Sequence, residues 1–267
     1  MGELSEATVS PEEYDEEYYL YACMGADRWR ESDGREADWL YDGMLSRAGM
    51  REGLRVLDIG TGRGEMIVAA VRRGAAKAVG VDYSKAAIEL SRTTLEQAGN
   101  PPQARALHAD ARALPVPDSS FDLAILADVI EHLSPGELAT TLDQAYRALA
   151  PDGRIFVHTA PNRFIYDVTY RVQRNLLPRR RRRWPREPRN QHELRMHVNE
   201  QTTGSLAKEL RGAGFERVSV SLGEWIYTDF VPSERARRTY YRLARVPGLR
   251  RLAVCDLWAI AHRPDGR

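Results

Sequence analysis

The chain has few cysteines, no excess of charge of either sign and no long apolar run. Cys23 and Cys255 are the two cysteines among 267 residues, and they lie far apart in sequence. A disulfide framework or a metal cluster built on sulfur is therefore not expected. Lys and Arg total 39 against 38 Asp and Glu, a net charge of +1, so the charge balance argues against nucleic acid or a membrane surface as a partner.

No stretch approaches the roughly 20 apolar residues that a membrane-spanning helix needs. The start of the chain is acidic and polar, without the basic and then apolar order of a signal peptide. We therefore expect a cytoplasmic protein with no transmembrane segment. The length favours one α/β domain with additions, and nothing in the composition indicates an oligomeric state.

Residues 55–65, with the sequence RVLDIGTGRGE, organise the rest of the chain. A short apolar run fit for a buried parallel strand breaks into three alternate glycines and continues at helical spacing. A strand, a glycine turn and a helix start predict a nucleotide-binding corner, because glycine lets a ligand lie against the backbone. The spacing D-x-G-x-G-x-G differs from the G-x-G-x-x-G of dinucleotide folds, and Asp58 suits an ammonium group better than a pyrophosphate.

This segment resembles the first motif of the class I S-adenosylmethionine-dependent methyltransferases. Residues 128–133, DVIEHL, are similar to members that act on quinones, sugars and secondary metabolites, and the Asn/Asp-Pro-Pro-aromatic element of nucleobase amine methylation is absent. The sequence LAPDGR at 149–154 is also similar to the family. The resemblance covers roughly residues 51–160, 202–222 and the final strand.

The resemblance implies S-adenosylmethionine as cofactor and S-adenosylhomocysteine as product. In the family the glycine turn holds the methionine part, and an acid after the third strand, here Asp110, meets the adenine amino group. Asp82, at the end of a predicted strand, can accept both ribose hydroxyls, and Tyr83 can stack on adenine. The predicted cofactor-binding residues are Asp58, Gly60, Thr61, Gly62, Gly64, Asp82, Tyr83, Asp110, Ala111 and Ala127.

The predicted fold is α/β: a Rossmann-like, seven-stranded, mostly parallel sheet with an antiparallel last strand and helices on both faces. Residues 1–50 form an N-terminal helical cap, and residues 51–267 form the methyltransferase domain with an insertion at 160–200. The predicted strands are 55–59, 77–82, 104–108, 121–126, 154–159, 215–222 and 252–261.

Residues 11–50 are predicted to be helical and carry a group of tyrosines, Tyr14, Tyr18, Tyr19 and Tyr21. Two interpretations stay open for this group. The tyrosines form a helix face packed on the domain, or they form a lid that excludes water from the transfer.

Histidines supply the candidate base. His192 and His197 close the insertion and are expected over the active-site end of the sheet, where imidazole has the basicity to deprotonate a hydroxyl. His132, in the segment after the fourth strand, is a third candidate. The spacing of His192 and His197 with the nearby glutamates fits none of the helical zinc motifs, so we predict no metal site.

The predicted function is transfer of the methyl group of S-adenosylmethionine to a small molecule, with a hydroxyl oxygen of a secondary metabolite, sugar or quinone-like acceptor favoured. Five consecutive arginines at 179–183 leave an alternative open, because a Pro-rich run of like charges is expected to be exposed. This alternative is an RNA- or membrane-associated binding protein, and another is a non-methylating enzyme on the same fold. The sequence does not identify the acceptor or separate O- from N- or C-methylation.

Overall fold

The structure is a computed structural model that describes residues 7–36, 39–176, 184–226 and 234–265. Seven strands form one sheet in the order β3-β2-β1-β4-β5-β7-β6. Strands β1 to β5 are parallel, whereas β7 runs antiparallel to both of its neighbours, which confirms the predicted fold. The strands are β1 Arg55–Ile59, β2 Lys77–Asp82, β3 Ala104–His108, β4 Phe121–Ala127, β5 Leu149–Thr159, β6 Glu216–Leu222 and β7 Leu257–His262.

The described helices precede, separate and follow these strands. The α-helices are α1 Ala26–Ser32, α2 Trp39–Arg47, α3 Glu65–Arg72, α4 Lys85–Gln97, α5 Pro135–Ala148, α6 Arg171–Leu176, α7 Gln191–Met196, α8 Thr203–Gly212 and α9 Glu234–Leu243. Shorter 3-10 turns lie at Pro11–Glu13, Ala111–Ala113, Ile130–His132 and Arg250–Leu252, and π-type turns at Tyr18–Ala22 and Ile165–Tyr170.

Two apolar cores, one on each face of the sheet, explain why the central strands read as continuous apolar runs. On one face, Leu138 of α5 and Leu206 of α8 pack with residues of β1, β4 and β5. On the other face, Met44 of α2 and Ile67 of α3 pack against alternate residues of the same strands. Because both faces are buried, the carboxyl-end edge of the parallel strands is left for a ligand.

Helix starts follow the capping signals in the sequence. The Ser84 hydroxyl accepts from the Ala87 amide at the start of α4, and Ser134 with Glu137 forms a capping box at α5. Thr202 caps α8 in the same way. These side chains satisfy amides that a helix leaves without partners, so the helices begin where the sequence predicts.

The N-terminal region 11–50 is helical as predicted, in several short pieces. The described part is broken into short turns and the helices α1 and α2. Gly25 (φ 76°), Asp33 (φ 52°) and Gly34 (φ 76°) adopt left-handed conformations that interrupt a helix. The division into a cap of residues 1–50 and a domain of residues 51–267 remains a prediction.

Two strand boundaries also differ from the predictions. Strand β5 begins at Leu149 rather than 154, because Leu149 pairs with Phe121 across an irregularity in the ladder. Strand β7 begins at Leu257 rather than 252. The Asp256 carboxylate before it accepts from the amides of Glu224 and Trp225, so this stretch contacts a loop instead of extending the ladder.

The insertion after β5 contains α6 and α7. The arginine run at 179–183 lies outside the described residues, so its exposure and the RNA- or membrane-binding alternative remain predictions. Within the described ranges, no helix is both long and apolar enough to cross a bilayer.

Candidate active site

A cavity of about 710 Å³ lies at the carboxyl ends of the parallel strands. Residues that follow β1, β2, β3 and β4 line it, as expected for ligand sites in open α/β sheets. The N-terminal turns, the insertion and the loop before β7 complete its walls. The predicted cofactor-binding residues line it too, with the exception of Gly64, which caps α3 and lies against Ser91 of α4.

The glycine turn after β1 is held against β2 by its backbone. The amides of Gly60 and Thr61 both donate to the carbonyl oxygen of Val81. Gly60 has φ 78°, and a Cβ atom there would lie 2.4 Å from a methyl group of Val129. Only glycine fits this position, so the backbone of the turn is left facing the cavity.

Asp58, the second-last residue of β1, is a buried carboxylate that lines the cavity. Its Oδ2 accepts from the Thr61 hydroxyl at 2.7 Å. Burial raises the pKa of Asp58 to about 7, and the Thr61 hydrogen bond opposes this effect. A buried carboxylate with one hydroxyl donor is suited to an ammonium group, as the sequence predicts.

Asp82, at the end of β2, supplies a second carboxylate to the cavity and holds the glycine turn with it. Its Oδ2 accepts from the Gly62 amide and its Oδ1 from the Ser84 amide, both at 2.9 Å. Burial raises the pKa of Asp82 to about 6, although these amide hydrogen bonds lower it. Each oxygen has a further lone pair, so the pair of ribose hydroxyls expected here has acceptors available.

Asp110, expected at the adenine end of the cofactor, has an arginine partner that was not predicted from the sequence. Asp110 forms an ion pair with Arg112 at 2.7 Å and also accepts from the Arg112 amide at 2.8 Å. The Tyr83 hydroxyl donates to the Val9 carbonyl at 3.0 Å, which fixes its ring beside the cavity. The arginine two residues after Asp110 is the signal from which this pairing could have been predicted.

The N-terminal segment 7–24 lies over the glycine turn. Tyr14, Tyr18 and Tyr19 line the cavity, and burial raises the pKa of each above its usual range, so they stay neutral. The guanidinium of Arg63 donates to the carbonyl oxygens of Tyr19 and Met24, at 2.6 and 2.7 Å. The tyrosine cluster therefore lies where a lid would be, and Arg63 of the glycine motif fastens it there.

Arg63 is itself buried and paired. It forms an ion pair with Glu65 at 2.8 Å, and each side chain is 2% exposed. Because both charges are out of water, each depends on the other for compensation. The sequence places this pair inside the motif, but its link to the N-terminal segment was not predicted.

Two of the three candidate bases meet at the other end of the cavity. The rings of His132 and His197 lie 5.0 Å apart, edge to face, and both line the cavity. His132 Nδ1 lies 3.1 Å from the carbonyl oxygen of Met196. His197 Nδ1 lies 3.9 Å from Oε1 of the buried Glu200. His192 lies in α7, but its side chain is outside the described part of the structure.

Acidic residues after β4 were not predicted as site residues. Asp128 lines the cavity and approaches His158 of β5, with 2.8 Å between Oδ1 and Nδ1. Glu131 also lines it and accepts from the Thr159 hydroxyl at 2.8 Å. Burial and the neighbouring Asp128 raise the pKa of Glu131. The position of Asp128 just beyond a predicted strand was a signal, whereas nothing in the sequence pointed to His158.

The family described as "Methyltransferase domain" matches residues 56–153, which span β1 to β5 and hold the glycine turn, Asp82 and Asp110. Residues 56–153 therefore form a methyltransferase domain of the class I S-adenosylmethionine-dependent type. This match confirms the predicted resemblance and the predicted cofactor.

Curated relatives of this chain include quinone-biosynthesis enzymes. It is 35% identical over 121 residues to a demethylmenaquinone methyltransferase of Thermus thermophilus, which covers 44% of this chain and 53% of the relative. It is 28% identical over 183 residues to a ubiquinone/menaquinone biosynthesis C-methyltransferase of Idiomarina loihiensis, covering 64% and 70%. The first of these matches therefore spans about half of the relative's length.

Among solved structures, the [4+2]-cyclase SpnF shares the fold with a TM-score of 0.64 at 18% identity, over 100% of both chains. Such a likeness shows the fold alone. Among the described residues, no group of three His, Cys, Asp or Glu side chains is placed to hold a metal ion.

Proposed function

We propose that this chain is a methyltransferase that binds S-adenosylmethionine at the ends of β1 to β3 and methylates a hydroxylated aromatic acceptor of the quinone-precursor type. The hydroxyl oxygen is the proposed acceptor atom. The observation that supports this proposal most directly is one cavity that contains both the motif residues Asp58 and Asp82 and the histidine pair His132 and His197.

S-Adenosylmethionine supplies an electrophilic methyl group when bound. The residues at the ends of β1 to β3, which we call the cofactor side, hold and orient it. Asp58 would hold the ammonium group, Asp82 the ribose hydroxyls, and Tyr83 and Asp110 the adenine. The tyrosines of segment 7–24 line the cavity and exclude water from it, so the acceptor is held in a dry site.

The histidine pair can remove the acceptor's proton. A carbonyl oxygen only accepts, so contact with Met196 places the Nδ1 proton of His132 toward it, and Nε2 of the neutral ring holds the lone pair. Nδ1 of His197 lies 3.9 Å from the buried Glu200, which pairs with Arg189 at 2.7 Å. A carboxylate near a base favours the charged form that the base adopts when it accepts a proton.

The names of the relatives and the lining of the cavity support the proposed acceptor class. We call the part of the cavity at the ends of β4 and β5, with the loop before β7, the acceptor side. Aromatic side chains of Tyr166, Trp225 and Tyr241 line the cavity there, and such faces bind planar rings. A deprotonated phenol carries negative charge on its oxygen and on ring carbons. The same base therefore also serves transfer to carbon, the reaction printed in the name of the Idiomarina relative.

The first test is calorimetric titration of the purified protein with S-adenosylmethionine and S-adenosylhomocysteine. We expect micromolar binding that Asp82→Ala loses. An intact protein that binds neither compound, or that binds NAD tightly instead, would overturn the assignment of the cofactor side.

The second test is incubation with S-adenosylmethionine and reduced short-chain quinones, followed by mass spectrometry and NMR of the product. We expect an O-methyl signal, and kcat lowered about 100-fold in His197→Gln or His132→Gln if that histidine is the base. His262→Gln is the matched control, because His262 of β7 lies opposite Arg154 of β5, at the end of the sheet away from the cavity. A C-methyl product would correct the acceptor atom, and unchanged kcat in both histidine variants would remove the proposed base.

A further inference from the structure

His158, in strand β5, is a buried titratable residue that the proposed reaction does not use. It is 2% exposed and lies between two carboxylates. Its Nδ1 is 2.8 Å from Asp128 Oδ1, and its Nε2 is 3.5 Å from Asp256 Oδ2. The imidazole therefore spans from the end of β4 to the residue that precedes β7.

The flanking carboxylates favour the charged form of the ring. Burial lowers the pKa of His158, but Asp128 and Asp256 outweigh burial and raise it to about 10. The pKa of Asp256 is lowered in turn, because His158 and nearby donors outweigh the effect of burial. An imidazolium between two carboxylates is thus the state that this geometry favours.

Asp256 holds a wall of the cavity. Its carboxylate accepts from the amides of Glu224 at 3.2 Å and Trp225 at 2.7 Å, and from Nε1 of Trp258. Glu224, Trp225 and Ile226 line the cavity, and we call residues 223–226 the acceptor wall. A Cβ atom at Gly223 would lie 1.7 Å from Asp256 Oδ2, so the wall lies tightly against this carboxylate.

Asp128 is at the other end of the same chain of contacts. It follows β4, has φ 54° and lines the cavity with a side chain 35% exposed. A left-handed conformation at an aspartate is uncommon and persists where surrounding contacts fix it. The contact with His158 and the bond from the Asp128 amide to the His158 carbonyl supply such fixing.

We propose that His158 is a positioning residue that couples Asp128, at the floor of the acceptor side, to the acceptor wall through Asp256. The fold makes this coupling possible because β5 lies between β4 and β7 in the sheet. One side chain at the end of β5 therefore reaches the ends of both neighbouring strands. The inference rests on the proposed function only in taking residues 223–226 as the side that receives the acceptor.

Hydrogen exchange in the ligand-free protein tests the coupling, so its outcome does not depend on methyl transfer. In His158→Gln, whose amide cannot reach both carboxylates as a charged ring does, we expect the amides of Glu224 and Trp225 to exchange at least tenfold faster. Exchange is measured relative to the amides of β1 in the same molecule. Asp128→Asn, which does not contact the acceptor wall, should also accelerate the same amides severalfold.

The matched control is Val157→Ala, in the same strand but packed in the core of the opposite sheet face. It should leave the exchange ratio of the wall to β1 unchanged. Calorimetry with S-adenosylhomocysteine should give affinities within threefold of wild type for His158→Gln, because the cofactor side is separate. Unchanged wall exchange in His158→Gln or in Asp128→Asn overturns the coupling. A uniform rise in all strands, matched by Val157→Ala, overturns it as well, because His158 would then act only on general stability.

Discussion

The cofactor side and the acceptor side of one cavity are built in different ways. The cofactor side uses residues that lie within a few positions of strand ends, and its contacts are largely to backbone, as in the amides of Gly62 and Ser84 on Asp82. The acceptor side joins segments that are remote in sequence, with His132, His197 and Trp225 in one lining. A ligand shared by a whole family is thus met by local motif geometry, and the variable ligand by tertiary contacts.

The buried pair Arg63 and Glu65 holds the N-terminal segment over the cofactor side, because Arg63 also donates to the carbonyls of Tyr19 and Met24. Arg63→Met leaves Glu65 buried without its partner, so we expect the free energy of unfolding to fall by about 3 to 5 kcal/mol. Chemical denaturation measures this change. The double variant Arg63→Met with Glu65→Met should recover most of the stability. Segment 7–24 should still be cleaved faster by protease than in the wild type, because it lacks the hydrogen bonds from Arg63. Equal instability of the single and double variants would contradict the pairing argument.

The affinities of Asp82→Ala and Trp225→Ala for S-adenosylhomocysteine test whether the two sides bind ligand independently. Asp82→Ala removes the proposed ribose acceptor and should weaken S-adenosylhomocysteine binding at least 100-fold, which is about 2.7 kcal/mol. Trp225→Ala removes a side chain of the acceptor wall but keeps its backbone bond to Asp256, so it should change that affinity less than threefold. Calorimetry at pH 8 compares them. Similar losses in both variants would erase the distinction.

The pH dependence of cofactor binding reports on Asp58. Its pKa is raised to about 7, so the carboxyl gains a proton as pH falls through 7 and loses its attraction for an ammonium group. We expect S-adenosylhomocysteine to bind about tenfold more weakly at pH 6 than at pH 8. Asp58→Asn should bind weakly at both values, with no such slope. An equal slope in this variant would assign the titration to another group.

Stability should respond to Asp58 in the opposite direction. A carboxyl whose pKa is higher in the folded than in the unfolded protein destabilises the fold as pH rises above its unfolded value. Asp58→Asn should therefore make the ligand-free protein more stable at pH 8, by about 2 kcal/mol. Thermal unfolding without ligand measures this gain. A less stable variant would mean that the Thr61 hydrogen bond outweighs the buried charge.

The smallest effect is expected at the amino end of the sheet, away from both sides. Asp122 pairs with Arg55 at 2.7 Å, and both side chains are partly exposed. Asp122→Asn should lower stability by less than about 1 kcal/mol, since water screens such pairs. Cofactor affinity should stay at its wild-type value. A change in affinity would show that the strand amino ends influence the site.

The predictions from sequence succeeded where local chemistry decides structure. Asp58, Asp82 and the glycine turn are placed by the strand that precedes each of them, and Ser84 and Ser134 start helices by capping free amides. These signals act over a few residues, so they can be read from the chain. Residues 11–50 are helical as predicted, but the breaks between their short helices, at left-handed residues such as Gly25 and Asp33, were not predicted.

Sequence by itself determined the order of strands and helices and the resemblance of residues 56–153 to the methyltransferase domain, and it named the residues that we propose for the cofactor side. Only the tertiary structure decided that Arg63 fastens the tyrosines over the glycine turn, that His132 meets His197, and that His158 lies between Asp128 and Asp256. The physical reason is the sequence separation of the interacting groups. Turns and caps depend on residues that are neighbours in sequence, whereas buried charges pair with residues on strands that only the folded sheet brings side by side.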